Sequence, residues 1–208
     1  MITINKRNIK SSFSRDFFIN RQFNYIFGMP GCGKSTTLAV VAQVCYDMGI
    51  PCFSNFPVEH TYEFQGFDVN YPSGSVFIFD EIFDLFGCGQ SKTLPIQTTL
   101  FFREFRHSRY TVWSASQEED DAARRIRGVI TKSYKLFLCG RKDKYTRLSE
   151  CNLVERALNE DGDKYEFVVP NSFVARFFDV KIYRPHFYSN FNSYCRRTFA
   201  RSVEFKPW

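Results

Sequence analysis

A three-layer α/β fold with a mostly parallel central sheet is the class this sequence predicts, and three observations carry it. An aromatic-rich run of strand length, Phe23 to Phe27, leads straight into Gly28-Met29-Pro30-Gly31-Cys32-Gly33-Lys34-Ser35. That octapeptide is a complete G-x-x-x-x-G-K-[ST] phosphate-binding loop. Behind it, Leu38, Val41, Cys45 and Met48 repeat at helical spacing until Gly49 and Pro51 stop the pattern. A second apolar run, Val76-Phe77-Ile78-Phe79, ends in Asp80-Glu81. It reads as a strand buried on both faces, as the parallel strands of α/β folds are.

The chemistry of the loop follows from its residue types. Its glycines let the backbone curl so that successive N–H groups face a polyphosphate, Lys34 reaches the β/γ-phosphates, and the Ser35 hydroxyl is placed for Mg²⁺. Gly28 to Thr36 are therefore the candidate nucleotide-binding residues. In isolation the octapeptide would be only a glycine-rich turn; the strand before it and the helix after it supply the context the motif requires.

The carboxyl end of the Val76–Phe79 strand should lie beside that loop, where open α/β sheets bind ligands. There Asp80 would hold Mg²⁺, directly or through water, and Glu81 would act as general base on the attacking water. Taken alone, the pair also fits a strand ending in two solvated acids. Adjacent carboxylates suit hydrolysis better than transfer to a small acceptor. The chain carries neither a Leu-Ser-Gly-Gly-Gln signature nor an Asn-Lys-x-Asp guanine-reading element. ATP with Mg²⁺ is the expected cofactor pair.

A third strand is predicted over Tyr110 to Ser116, closing on Gln117. At a strand's carboxyl end next to the Asp80 strand, Gln117 would sense the γ-phosphate or position water; the alternative is a loop amide capping the next helix. The preceding segment, Leu94 to Arg109, is predicted helical, with Phe101, Phe102 and Phe105 on one side and Pro95 in the first turn. After Gln117, four acids (Glu118 to Asp121) precede Arg124, Arg125 and Arg127, with Gly128 behind. That order suits a short helix with a compensated dipole. It equally suits an arginine finger reaching a neighbouring subunit's ATP, for which Arg103, Arg106 and Arg109 compete.

With 208 residues the chain suits one α/β domain and a small appendage. Hydrophobic residues at 44% against 24% charged allow a core and exclude a disordered chain. Seven cysteines at irregular spacing give no disulfide framework and no paired C-x-x-C metal pattern, so a reducing, intracellular setting is expected. Cys32, inside the loop, is expected to make nucleotide binding sensitive to oxidation. The polar start, Met1 to Arg15, lacks the apolar stretch of a signal peptide, and no window is long and apolar enough to span a membrane. A net charge of +6 is only mildly basic, and its placement matters more than its sign.

Three regions are expected: an amino-terminal arm (1–20), flexible or docking, a nucleotidase core (21–140), and a β-rich extension with a carboxyl-terminal tail (141–208). Lys132 to Leu138 reads as a fifth strand of the sheet. Beyond it, Tyr165 to Val169 and Phe173 to Tyr183 are strand-like, separated by turn signals at Asn159 to Gly162 and Pro170-Asn171. From Lys181 onward six Lys/Arg face one acid, Glu204, among many aromatics. That composition suits a single-strand binding surface, or a tail docking on its own domain or on a capsid partner.

The order of these motifs resembles the zonular-occludens-toxin-like ATPases, the assembly ATPases of filamentous phages. The residues that carry the resemblance are the loop near the amino end, Cys52-Phe53-Ser54-Asn55, the strand ending Asp80-Glu81, Arg106-His107, and Ser116-Gln117 followed by Arg124-Arg125-Ile126-Arg127. It covers roughly residues 23 to 140. Those proteins are similar in turn to FtsK/HerA-type DNA-translocating and viral genome-packaging ATPases. The resemblance implies an ATPase of virus or phage morphogenesis that forms a ring, by analogy hexameric, and couples hydrolysis to movement of DNA of either strandedness. Gln117 then takes the sensor role and an arginine crosses the subunit boundary. One departure stands out: filamentous-phage relatives carry a transmembrane helix after the nucleotidase domain, and this chain has none. A motor filling a preformed capsid is favoured, in the host cytoplasm, on the virion or at the periphery of the inner membrane, with a capsid or virion-vertex protein as partner. The rivals are an assembly factor that remodels capsid or membrane proteins without touching DNA, and a small phosphotransferase.

Overall fold

A computed structural model of the chain describes residues 2–81, 96–105, 107–117, 129–159, 162–168 and 179–187. Its elements in chain order are β1 (Ile2–Ile4), α1 (Ser12–Phe18), β2 (Phe23–Phe27), α2 (Lys34–Asp47), β3 (Cys52–Ser54), β4 (Tyr62–Glu63), β5 (Val76–Phe79), α3 (Ile96–Glu104), β6 (Thr111–Ser116), β7 (Lys132–Cys139), β8 (Tyr145–Asn159), β9 (Gly162–Val168) and β10 (Val180–Tyr183). The strand order is β1-β10-β8-β7-β2-β6-β5-β3-β4, with β9 paired to β8. From β4 across to β7 every neighbouring pair is parallel, whereas β8 is antiparallel to β7 and β10 to β8. β6 thus lies between the strand that leads into the phosphate loop and the strand that ends in Asp80.

Burial on both faces explains why these strands read as unbroken apolar runs: all of β2, β3, β5 and β6 is buried. The two faces differ in kind. Beneath α2, Ile26, Val76, Ile78, Trp113 and Ala115 meet the helix residues Leu38, Val41 and Cys45. The opposite face is a layer of rings, Phe23, Tyr25, Phe27, Phe53, Phe77 and Phe79, packed against Phe101 and Phe102 of α3. Phe77 meets Phe101 edge-on at 5.0 Å, and Phe23 stacks on Phe102 at 5.4 Å. These are the separations at which aromatic quadrupoles attract. The three-layer α/β architecture with a mostly parallel sheet is as expected.

Boundaries shift where local signals compete. The predicted helix from Leu94 to Arg109 is described from Ile96 to Glu104, and Leu94 and Pro95 lie outside the described residues. Arg109 leaves the helix with a left-handed φ of 57°. Of the piece predicted over Phe173 to Tyr183, the described part is β10; the strand predicted over Tyr165 to Val169 starts earlier, at Gly162. The 15-residue β8 has no counterpart among the expected strands, because over 145–152 its buried positions are Thr146, Ser149 and Cys151 as well as Leu148. The basic-aromatic tail beyond Phe187 lies outside the described residues.

The amino-terminal arm, expected to be flexible or docking, is docked. β1 runs parallel to β10, Ile2 opposite Val180. α1 is capped by the Ser11 hydroxyl, which accepts from the Ser14 N–H at 3.2 Å. Phe18 is fully buried, and its carbonyl accepts from the Trp113 indole N–H at 2.8 Å. Phe17 completes a cluster with Phe18, Trp113 and Tyr134. Phe18→Ala should therefore cost about 3–5 kcal/mol of unfolding free energy. Urea denaturation followed by tryptophan fluorescence measures it, and an unchanged midpoint would refute a docked arm.

Candidate nucleotide site

The loop is built at the carboxyl end of β2, and two glycines are obligatory there. Gly33, with φ of 102°, lies so close to Thr146 of β8 that an added Cβ would collide with the threonine hydroxyl. A Cβ on Gly28 would stand 2.9 Å from the Leu136 carbonyl oxygen and 3.0 Å from the Cys32 sulfur. The loop is thus wedged against β7 and β8, and any side chain at these positions would push it out of place. Thr146 also donates a 2.8 Å hydrogen bond to the Cys32 carbonyl. The tip, Met29, Pro30 and Gly31, is exposed.

α2 starts at Lys34, so its free N–H groups and the positive end of its dipole point where a phosphate would sit. Lys34 is buried, and its ammonium donates to the Gly28 carbonyl at 2.8 Å. The Ser35 hydroxyl donates to the Asp80 carboxylate at 3.0 Å. Thr36 is buried in the first turn, and the Thr37 hydroxyl closes that turn on the Gly33 carbonyl at 2.9 Å. This is a P-loop NTPase fold.

Asp80 is held by its backbone as well as its carboxylate. Asn55, just past β3, donates its amide to the Asp80 carbonyl at 2.8 Å and accepts from the Asp80 N–H at 2.9 Å. Burial raises the Asp80 pKa above 3.8, opposed by the Ser35 hydrogen bond and the Lys34 charge. Ser35 and Asp80 together form a hard-oxygen donor pair of the kind a Mg²⁺ takes. Glu81 follows, half-buried, with a left-handed φ of 46° that turns the chain away from the strand direction.

Gln117 is exposed at the carboxyl end of β6, between the loop strand and the Asp80 strand in the sheet order. Arg124, Arg125 and Arg127 lie outside the described residues, as does Arg106. Of the competing arginines, Arg103 is exposed near the end of α3, and Arg109 precedes β6, at the end of the sheet away from the loop. Burial pushes the Cys32 thiol pKa up, outweighing the nearby Lys34 and Arg184 charges.

Three residues near the site were not assigned a role from sequence. Asn55 was visible as the end of a Ser-Asn strand, without its clamp on Asp80. Thr146 and Arg184 come from the extension, far along the chain, and no local pattern announces either. Arg184 lies within electrostatic reach of Cys32, and its guanidinium donates to the Asp143 carbonyl at 3.2 Å.

No family model matches the sequence, and no curated protein does. Among solved structures the chain is similar to the N-terminal domain of zonular occludens toxin from Neisseria meningitidis, with 16% identity and a TM-score of 0.45 over 71% of this chain and 93% of that one. It is also similar to B204, the DNA-packaging ATPase from Sulfolobus turreted icosahedral virus, with 11% identity, a TM-score of 0.46, and coverage of 70% and 97%. The flagellar accessory protein FlaH from Methanocaldococcus jannaschii shares 12% identity at a TM-score of 0.45, covering 76% and 97%. The first two come from the groups that the motif order resembles. The fold assignment rests on the strand order and loop geometry above, not on these likenesses.

Thr146→Val removes the donor to the buried Cys32 carbonyl while keeping the side-chain shape. It should cost about 1–3 kcal/mol of stability and weaken nucleotide binding. Thr146→Ser should retain both. Thermal melts and titration with a fluorescent ATP analogue check this, and wild-type behaviour of the valine variant would show that β8 does not support the loop.

Proposed function

We propose that this chain is a Mg²⁺-dependent ATP hydrolase of virus or phage assembly, working as a ring-forming motor that translocates or packages DNA. The observation that carries the hydrolase reading is the 3.0 Å contact between the Ser35 hydroxyl and the Asp80 carboxylate under the amino end of α2. It brings the two sequence motifs, far apart in the chain, to one point. The DNA and ring assignments rest on the resemblance of the motif order.

The loop N–H groups and the start of α2 bind the β- and γ-phosphates, and the Lys34 ammonium exchanges the Gly28 carbonyl for phosphate oxygens. Ser35 and Asp80 would hold Mg²⁺, which when bound neutralises phosphate charge. Glu81 takes the proton of the attacking water. Gln117, at the end of the intervening strand, reads the γ-phosphate. An arginine of the Arg124, Arg125 and Arg127 group enters the neighbouring subunit's site, which is why a ring, six-membered by resemblance, is part of the proposal. A capsid or virion-vertex protein would anchor it. Among the described residues no helix is long and apolar enough to cross a membrane.

Steady-state ATP hydrolysis with and without single- or double-stranded DNA tests this reading. DNA should stimulate turnover; Lys34→Ala should abolish it, and Glu81→Gln should lower it by roughly 10²–10⁴-fold. Turnover indifferent to DNA at low salt would replace the motor with the protein-remodelling assembly factor. Retained turnover in Glu81→Gln with a phosphorylated acceptor would replace the hydrolase with a phosphotransferase.

The raised Asp80 pKa gives a second test. Between 3.8 and its raised value, folded Asp80 holds a proton that the unfolded chain has released. Through that window this group's contribution to stability therefore falls as pH rises. Metal binding runs the other way, because it needs the carboxylate. Mg²⁺-dependent affinity for an ATP analogue should fall on acidification at a pH above the ordinary carboxylate range. In Asp80→Asn the Mg²⁺ dependence should be weak and without that step. A wild-type titration centred at the ordinary carboxylate value would contradict the assignment.

A further inference from the structure

At the end of the sheet remote from the phosphate loop, the chain encloses a cleft of about 750 Å³. Its walls are the segments just before β2, β3, β5 and β6 together with the last turn of α1, and they include Arg15, Arg21, Arg109, Asp16, Ser73 and Gly74. Three arginines against one aspartate make it basic. Asp16 meets Arg15 at 3.1 Å, but both side chains are more than half exposed, at 69% and 56%, so the solvent-screened pair leaves most of the positive potential in place. Among the described residues neither Arg21 nor Arg109 makes an ion pair.

Backbone geometry marks the same two residues. Arg21 and Arg109 both take a left-handed φ of 57°, a conformation that costs a residue with a Cβ and that collects at functional positions. They precede the adjacent parallel strands β2 and β6, and the Arg21 N–H donates to the Thr111 hydroxyl at 2.8 Å, tying the two turns together. An arginine therefore stands just before each of the two strands, with its backbone fixed in the turn. From the same end of the sheet β8 runs on past β7. Ser133, next to the first residue of β7, faces Cys151, and Asn152 to Asn159 pair with β9 instead. A two-stranded ribbon on the order of 25 Å long rises there.

We propose that this arginine cleft is a nucleic-acid site that grips the phosphodiester backbone at the end of the sheet opposite the ATP. The class of ligand rests on the DNA reading of the proposed function; the location does not. Planar guanidinium forks pair with phosphate oxygens bidentately. The cleft gathers three of them where neither the loop nor Asp80 can compete for the ligand.

The test is fluorescence anisotropy of labelled single-stranded and duplex oligonucleotides with the full chain and with the Arg15→Gln/Arg21→Asn double variant, asparagine being tolerant of a left-handed φ. ATP hydrolysis without DNA serves as the control for folding and should be unchanged. The variant should bind DNA about tenfold more weakly or worse, and its dependence on salt should drop by roughly one unit of log–log slope per lost phosphate contact. A variant that binds DNA with the wild-type affinity and slope would overturn the cleft while leaving the DNA motor intact. Wild-type protein that binds neither oligonucleotide at low salt would overturn both. Labelled polyglutamate bound by that wild-type protein and lost in the variant would then identify an acidic protein partner instead.

Discussion

The contact between Ser35 and Asp80 constrains everything around it. The loop leaves β2 and the aspartate leaves β5, two strand spacings apart, or roughly 10 Å, with β6 between them. For a short hydroxyl to touch that carboxylate, the first turn of α2 must lean over the end of β6, and β6 must present little there. Its last residues are Ser114, Ala115 and Ser116, small and buried. The parallel register carries the three strands to a common edge, Phe27 opposite Ser116 and Phe79 opposite Ser114. Asn55 then fixes the backbone of Asp80 from the far side through two hydrogen bonds. A slip of one residue in β5 would turn Asp80 to the other face of the sheet and dissolve the site.

The packing that holds this edge is asymmetric for a reason. α2 must approach the sheet closely to deliver Lys34 and Ser35, so its own buried residues are mostly small, with Ala39, Val40, Ala42 and Val44 all fully buried. The other face carries no such demand on distance. It is filled by phenylalanine, whose area gives more burial per residue and whose edge-to-face pairs order the layer. The phenylalanines of this face are thus core, and they need no nucleic-acid explanation.

What was legible in the sequence is what lies in contiguous stretches. The loop, its strand and its helix, and the β5 run ending in Asp80-Glu81 each declare themselves within a dozen residues, because the backbone geometry and the burial they need are local. Thr146 was not legible, since its contact with the loop depends on the β7–β8 pairing rather than on any neighbour in sequence. Phe18 was missed because Lys6, Arg7, Lys10 and Arg15 among Ser and Asn give the arm the look of a flexible or docking segment. The burial of Cys32 was not legible either, since its cover comes from Leu136 and Thr146 of strands far along the chain. Arg109 competes as a finger by its place in the chain, and the strand direction puts it at the end of its own subunit away from the loop.

That strand direction bears on how the two ends of the molecule could act together. β6 has Arg109 before it in the basic cleft and Gln117 after it at the nucleotide edge. α2 runs from Lys34 to Asp47, about 21 Å, and hands the chain to Gly49 and Ile50 in the cleft wall. Two elements therefore each span from one site to the other, and both are rigid: β6 is buried throughout, and α2 is buried along most of its length. Contiguity of this kind transmits force only if some element has two arrangements that the sites favour differently. α2 is tied at its ends through side chains, by Lys34 to the Gly28 carbonyl and Ser35 to Asp80 in the first turn and by Asp47 to Lys10 at 3.6 Å in the last. β6, in contrast, is locked by ladder hydrogen bonds on both sides and by the Trp113 indole on the Phe18 carbonyl. A phosphate and its metal would exchange the side-chain bonds of the first turn of α2 and leave that of the last.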